Sequence, residues 1–337
     1  MCCEVSIVVT VKNEGKHIAD LLDSIANLDY PKDQVETIIV DGGSTDETVE
    51  VISKYPWVKL IVTPCSHSKG MNIGIKESKG EIIACTDGDC IVDRNWVKNI
   101  VKYFAEGEEI GAVGGPYLPS NQRGLFARCF AAVSRLWFPK STGFTEHHQK
   151  IGTGNVGYRR EVLEKLGGFD ERIGMGTRIR SGDDVDLNLR IINLGLKLLF
   201  AEDVKIYHRF RISFRETTEE IFHRGMDSSR YHKMLNREDK HEIYGNSLWA
   251  DLFRDFFLFI LFAVSGLFLV FSLYLQNYLT AYFILSAVLL YYVYKVLRFR
   301  LVYRIRMGLA VGFVAPILDM FLIVVWSTGA FVGLIKR

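Results

Sequence analysis

Two acidic clusters carry the chemistry that this sequence can perform. The first, Thr86-Asp87-Gly88-Asp89-Cys90, sets two carboxylates two residues apart at the end of an apolar run. In an extended backbone such residues project to one side, so Asp87 and Asp89 are expected to converge while Gly88 keeps the space between them open. Hard cations such as Mg²⁺ or Mn²⁺ take carboxylate oxygens and complete their shell with water and phosphate, so the pair reads as a metal bridge beside a diphosphate. An EF-hand is excluded, because Val92 stands where that loop needs glycine. The second cluster, Ser181-Gly182-Asp183-Asp184-Val185-Asp186-Leu187, opens a helical pattern that runs through Leu189, Ile191 and Ile192 to Gly195. Its carboxylates are either helix caps or a general base for an acceptor hydroxyl, and the residues alone leave both readings open.

The elements that must position these groups alternate. Apolar, β-branched runs at Val5 to Val11, Val35 to Val40, Val58 to Val62 and Ile82 to Cys85 have the length and composition of buried parallel strands. Between the first two, Ile18, Leu21, Leu22, Ile25 and Leu28 recur at helical spacing. Ser44 and Glu47 fit a capping box for a helix through Lys54, and a third helix follows His67 and ends near Gly80. This order predicts a mostly parallel α/β sheet with its ligands at the carboxyl ends of the strands. The turns Val11-Lys12-Asn13-Glu14 and Asp41-Gly42-Gly43-Ser44 lie at such ends, where free helix N–H groups and glycines admit a phosphate. Gly152-Thr153-Gly154-Asn155-Val156-Gly157 fits GxGxxG, but no buried strand precedes it. It reads as a flexible loop ahead of a helix over 161–166, not as a dinucleotide site.

Composition bounds the rest. With 337 residues the chain has room for one sizeable mixed domain and an appendage. A net charge of +2 argues against a nucleic-acid partner, which calls for a concentrated basic excess. The six cysteines show no CxxC pair and read as reduced packing residues. Met1 is followed almost at once by EVSIVVTV, which leaves no room for a signal core. From Phe256 to Tyr294 there is no charged residue, and Asp319 is the only charge between Met307 and Ile335. A crossing takes about 20 apolar residues, so membrane helices are expected at about 256–275, 279–297 and 308–334. The basic loop from Lys295 to Arg306 then faces the cytoplasm together with the N-terminal domain. The expected organisation is a catalytic domain over 1–235, a connector over 236–255 and a transmembrane region over 256–335.

Taken in order, SIVVTVKNEG, VDGGSTDET, SKGMNIGIKESKGEIIACTDGD, GTGNVGYRREVLEKLGGFDE, GDDVDLNLRI and VKIYHRF resemble the family 2 glycosyltransferases over about residues 1–225. The resemblance implies the GT-A nucleotide-diphospho-sugar transferase fold, here followed by an all-α transmembrane region. It implies that Val9, Glu14, Asp41, Lys69 and Asp87 hold the donor nucleotide. Asp87 and Asp89 become its DxD motif, and His208 matches a histidine that in some members completes the shell of Mg²⁺ or Mn²⁺. Asp184 matches the catalytic base and Asp183 its neighbour, while Gly154, Asn155 and Arg159 fall in the acceptor region. Family members generally invert the anomeric centre in one displacement. The processive members carry QxxRW, whereas the corresponding stretch here is His223-Arg224-Gly225-Met226, so a single addition is expected. An enzyme with three apolar segments is expected to meet an acceptor held in the bilayer, such as polyprenyl or dolichyl phosphate or a lipid-linked saccharide. A helix over 124–140 with basic residues near its apolar face fits either the membrane interface or packing on protein. The rival readings are a transferase building a secreted polysaccharide and a catalytically silent membrane scaffold.

Overall fold

The computed structural model describes residues 4–120, 124–135, 138–139, 141–145, 150–209, 213–234, 274, 284–286, 289–293 and 309–335. They divide into two compact units, Met1–Asn121 with Trp137–Phe210 and Gln122–Leu136 with Arg211–Arg337. The helix over 125–134 falls in the second of these units.

In the first unit the opening pattern folds as the periodicity predicts. Strands β1 (Val5–Val11), β2 (Val35–Asp41), β3 (Val58–Val62) and β4 (Ile82–Thr86) are connected by helices α1 (Ile18–Ala26), α2 (Thr48–Ile52) and α3 (His67–Glu77). All three pairings among these strands are parallel, with Val5 opposite both Val35 and Ile82. Side chains alternate across β1: Val5, Ile7, Val9 and Val11 pack with α1, and Val8 packs with Met71 and Ile75 of α3. Glycines let α3 approach closely, since a Cβ at Gly74 would collide with Val8 and one at Gly70 would sit 2.9 Å from the Thr10 hydroxyl.

Beyond β4 the sheet becomes mixed. The chain continues through β5 (Cys90–Val92), α4 (Trp96–Phe104), β6 (Ile110–Gly114), β7 (Tyr117–Pro119), β8 (Gly143–Thr145), β9 (Asn155–Arg159), α6 (Arg160–Leu166), α7 (Asp183–Asn193), β10 (Lys197–Phe200) and β11 (Ile206–His208); α5 (Leu125–Ser134) belongs to the second unit. The main sheet has eight strands in the order β3-β2-β1-β4-β9-β6-β10-β8, and β9 runs antiparallel to both of its neighbours. This corrects the loop expected at Gly152 to Gly157, whose second half is a central strand. Asn155, Val156, Gly157 and Tyr158 are all buried, a double-sided burial that hides the alternation by which a strand is recognised.

A smaller sheet, β5-β11-β7, stands against the carboxyl end of β4. Antiparallel register sets His208 opposite Cys90, and parallel register sets it opposite Pro119. The expected extended geometry at the first acidic cluster is replaced by a turn: β4 stops at Thr86, and the Cys90 N–H donates to the Asp87 carbonyl at 3.2 Å.

The capping box expected at Ser44 is also not formed. The Ser44 hydroxyl donates to the Asp41 carboxylate and accepts the Asn13 N–H at 2.8 Å, so it is unavailable to a helix end. The helix instead starts at Thr48, whose N–H donates to Asp46 at 3.1 Å.

The second unit contains α5, α8 (Phe214–Met234) and α9 (Leu309–Ile335). Helices α8 and α9 meet backbone to backbone: a Cβ at Gly225 would overlap the Trp326 carbonyl, and one at Gly329 that of Phe222. Ser229 donates across this contact to the Ala330 carbonyl at 2.7 Å, and Lys233 to the Gly333 carbonyl at 3.0 Å. The apolar face of α5 is covered by protein, with Ala127, Cys129, Phe130 and Val133 buried and Phe126 edge-on to Phe214 at 5.8 Å. Among the described residues no helix is long and apolar enough to cross a membrane. The crossings expected at 256–275 and 279–297 fall largely outside the described residues, as do Cys2 and Cys3. The other cysteines are free, in keeping with a packing role.

One glycine fixes the course of the chain from β6 into the small sheet. A Cβ at Gly115 would overlap the Val204 carbonyl oxygen and lie 2.7 Å from that of Ala201. Backbone on both sides cannot yield as a side chain does. Gly115→Ala is expected to cost about 1–3 kcal/mol, read as a lowered urea midpoint with an unchanged slope.

Candidate active site

The carboxyl ends of the first unit's strands supply nearly all the polar groups that meet at one rim. One side of the rim comes from the turns after β1 and β2, which lock together. Thr45 donates to the Asn13 side chain at 2.9 Å, Glu14 N–H donates to the Thr48 hydroxyl at 2.8 Å, and Gly15 N–H donates to Asp46 at 3.1 Å. Asn13 adopts φ +59°, a left-handed conformation that asparagine tolerates because its short amide can bond locally. Asp41 is fully buried, and its Oδ1 accepts the N–H groups of Gly43 and Ser44 at 3.0 and 2.9 Å. The Val9 side chain is wholly inside the core. Lys69 is exposed on α3. Burial pushes the Cys65 thiol up, while the charges of Lys69 and Lys12 pull it down and that of Asp41 raises it, which gathers two cations beside this turn.

Gly88 joins these turns to the first acidic cluster. Its absent Cβ would lie 2.9 Å from Val11 and 3.1 Å from Glu14. On either side of it, the turn and the His208–Cys90 register bring one ligand atom each of Asp87, Asp89, Cys90 and His208 within 4.8 Å of one another, the one such group among the described residues. His208 Nε2 lies 3.4 Å from Asp89 Oδ2. Burial raises the Asp87 carboxyl above its usual range, and Asp89 raises it further against the charges of His67 and His208. Burial likewise holds the Cys90 thiol far up, so it lines the cluster as a neutral group. Two carboxylates and an imidazole at this spacing suit a hard divalent cation such as Mn²⁺ or Mg²⁺, whose charge would relieve the repulsion between Asp87 and Asp89.

The second acidic cluster reaches the same rim. Gly182 takes φ +103° ahead of α7, which turns Asp183 and Asp184 into the first turn of that helix, where the dipole favours negative charge. The loop between Ile151 and β9 bridges the two clusters. A Cβ at Gly154 would collide with the Asp87 carboxylate, and one at Gly152 would lie 3.3 Å from Asp184 Oδ2. Both positions also face the Tyr117 hydroxyl, at 3.0 and 2.7 Å respectively. Tyr117 is edge-on to His208 at 5.9 Å and stacked on Phe138 at 5.4 Å.

His67, the first residue of α3, completes the rim. Its Nδ1 is 2.9 Å from Asp183 Oδ2. Burial by itself draws the imidazole pKa down, yet the hydrogen bond and charge of Asp183, with Asp87 and Asp184 behind it, raise it to about 9. Burial acts on Asp183 in the opposite sense, and the His67 hydrogen bond and charge hold its carboxyl below the usual value.

Of the residues expected here, Asp87, Asp89, His208, Asp183, Asp184 and Gly154 are brought together, with Glu14 against Gly88. Asn155 and Arg159 are engaged by the fold instead. The Asn155 carboxamide accepts the Trp96 indole N–H at 2.8 Å and donates to the carbonyls of Pro116 and Val204 at 3.1 and 2.9 Å. Arg159 donates to the carbonyls of Ile110, Phe104 and Gly107 at 2.8–3.0 Å. His67, Tyr117 and Gly152 were not singled out as site residues by sequence. Each lies just past a strand or in the bridging loop, so the carboxyl-end rule was the signal available for the first two.

The comparisons with known proteins agree with this geometry. Residues 6–167 match the family described as glycosyl transferase family 2. The chain is similar to a probable glycosyltransferase, YdaM, of Bacillus subtilis, with 30% identity over 210 residues, which is 58% of this chain and 48% of YdaM. It is also similar to a Methanococcus voltae protein named dolichyl N-acetyl-alpha-D-glucosaminyl phosphate 3-beta-D-2,3-diacetamido-2,3-dideoxy-beta-D-glucuronosyltransferase, with 24% identity over 281 residues, covering 78% of this chain and 82% of that protein. Among solved structures, the mannosyltransferase PcManGT from Pyrobaculum calidifontis, in complex with GDP-Man and Mn²⁺, superposes with a TM-score of 0.61 at 19% identity over 94% of this chain and 87% of that one. Residues 6–167 thus resemble the family 2 glycosyltransferases, and the chain shares the GT-A architecture of the mannosyltransferase structure.

The His67–Asp183 pair makes a pH-dependent contribution to folding whose sign follows from the two shifts. The imidazole pKa rises on folding, so its contribution is complete below the unfolded value of 6.5 and is lost as pH climbs through about 9. The Asp183 pKa falls on folding, so its contribution is present above 3.8 and is lost as pH drops through its lower folded value. In urea unfolding, the coupling from a double-mutant cycle of His67→Asn and Asp183→Asn is expected to be greatest between about pH 4 and 6.5 and to fade by about pH 9.

Proposed function

We propose that this chain transfers one sugar from a nucleotide-diphosphate donor to a lipid-linked acceptor, with inversion at the anomeric carbon. The observation that carries the reading is the loop Gly152-Thr153-Gly154, which touches Asp87 at one end and Asp184 at the other. A donor bound by its diphosphate beside Asp87 and Asp89 then presents its sugar toward Asp184. In the proposed assignment Asp89, Asp87 and His208 hold Mg²⁺ or Mn²⁺, which when bound would offset the charge that builds on the departing diphosphate.

The chain's own groups account for the remaining roles. Asp184 lies at a helix N-terminus, and its Oδ1 accepts the Val185 N–H at 2.8 Å, which fixes the carboxylate's orientation. It receives the acceptor hydroxyl's proton as the acceptor oxygen bonds to the anomeric carbon and the bond from that carbon to the diphosphate breaks. With a phosphate acceptor, the same carboxylate orients the attacking oxygen. Asp183 keeps Asp184 in register, and the turns around Glu14, Asp41 and Lys69 form the nucleotide side. Tyr117 and Gly152-Thr153-Gly154 shape the space for the sugar.

A membrane setting is part of the proposal. It is supported by the uncharged stretch from Phe256 to Tyr294 and by a relative whose name specifies a dolichyl-linked acceptor. The basic residues from Lys295 to Arg306 favour a catalytic unit on the cytoplasmic side. No charge excess calls for a nucleic-acid partner.

The test mixes the purified chain and Mn²⁺ with a panel of nucleotide sugars and a polyprenyl phosphate in vesicles, followed by identification of the labelled lipid. One added sugar is expected; a growing polymer would favour a polysaccharide synthase, and no turnover would favour a silent scaffold. Asp184→Asn is expected to lower kcat about 10²- to 10⁴-fold with donor binding kept. Asp89→Asn is expected to abolish Mn²⁺-dependent donor turnover while the chain stays folded, as read by circular dichroism. Normal transfer by Asp184→Asn removes it as base, and unchanged Mn²⁺ dependence in Asp89→Asn removes the metal assignment.

A further inference from the structure

We infer that His67 is a positioning residue of the transfer reaction, a cation that holds the Asp183 carboxylate and offsets its charge so that the adjacent Asp184 stays ionised. The inference rests on the transferase reading of Asp184. Asp183 and Asp184 are consecutive, and two neighbouring carboxylates oppose each other's ionisation unless a positive group is set against one of them. His67 Nδ1, 2.9 Å from Asp183 Oδ2, is that group.

The start of α3, which carries the imidazole, is tied down at two points. The His67 backbone N–H donates to the Met175 carbonyl at 2.8 Å, and the Ser68 hydroxyl to the Ile173 carbonyl at 2.6 Å. Gly174, at φ +109°, passes so close that a Cβ there would lie 3.5 Å from Asp183 Oδ2 and would collide with the Ser68 hydroxyl. The segment Ile173-Gly174-Met175-Gly176 thus ties the start of α3 to the start of α7 and contributes no ionisable side chain. The charges that raise the imidazole pKa most are Asp183 and Asp184 from α7 and Asp87 from the turn after β4. Asp183 is the nearest of them, and its hydrogen bond and charge do most to raise the imidazole pKa against the effect of burial.

The test separates the charge from the hydrogen bond. His67→Asn keeps a donor without charge, and His67→Lys keeps a charge without the ring. In the nucleotide-sugar and polyprenyl phosphate assay, His67→Asn is expected to move the acid limb of the kcat profile up by about one pH unit. The loss is then about tenfold on the acid side and absent on the alkaline side, with the donor KM unchanged. His67→Lys is expected to return the limb to its wild-type position. An unmoved limb in His67→Asn, or His67→Lys behaving as His67→Asn, overturns the inference. Should neither variant fold, nitrogen NMR of labelled histidine in the wild-type chain decides: an imidazole that titrates well above 7 and falls in Asp183→Asn supports it, and one that titrates at or below 6.5 overturns it. A wild-type chain without turnover sinks the transferase reading itself; turnover with an unmoved limb in His67→Asn sinks only this inference.

Discussion

Four carboxylates, Asp87, Asp89, Asp183 and Asp184, stand at one rim of the sheet, and the repulsion among them is the constraint around which the first unit is organised. Like charges in a partly buried site raise one another's pKa and drive toward protonation. The effect is visible in Asp87, where burial and Asp89 act together to raise the carboxyl. Each element at the rim answers it. The N-terminus of α7 receives Asp183 and Asp184, His67 is set against Asp183, and the small sheet carries His208 to Asp89. A divalent cation at Asp87, Asp89 and His208 would offset negative charge that the protein groups leave uncompensated.

This charge balance also explains the backbone. The turn at Asp87 to Cys90 brings both carboxylates to the same cluster, and the antiparallel register of β5 with β11 delivers His208 to it. Close backbone approach is needed wherever the loops meet the carboxylates, and glycine occupies those places: Gly88 against Glu14, Gly152 against Asp184, Gly154 against Asp87 and Gly174 against Asp183. An added Cβ would press on Val11 at Gly88, on the Tyr117 hydroxyl at Gly152, on the Asp87 carboxylate at Gly154 and on the Ser68 hydroxyl at Gly174. Asn155 and Arg159 serve the same end indirectly. By binding the Trp96 indole and the carbonyls around α4 and β6, they hold β9 and the bridging loop before it.

The second unit obeys a different economy. Helices α8 and α9 approach through Gly225, Gly329 and Gly333, so that backbone meets backbone and Ser229 and Lys233 reach carbonyls across the contact. Small residues at a helix contact of this kind are common both in membranes and in tightly packed soluble bundles. The apolar residues of α5 that sequence left open to either environment are largely covered by protein.

Sequence by itself determined the parallel half of the sheet, because β1 to β4 and α1 to α3 are set by local periodicity and short connections. It also determined the acidic clusters, whose residue types and positions after strands are local facts, and the start of α7. What it could not determine depends on contacts between distant residues. The Ser44 hydroxyl is engaged by Asp41 and Asn13 and not by a helix end, and the side chains of Asn155 and Arg159 bond Trp96 and the carbonyls of Ile110, Phe104 and Gly107. The strand at Asn155–Arg159 stayed hidden because burial on both faces erases alternation. His67 and Asp183 are 116 residues apart, and only the fold decides that they meet, since a hydrogen bond between two helix starts leaves no periodic trace in either one.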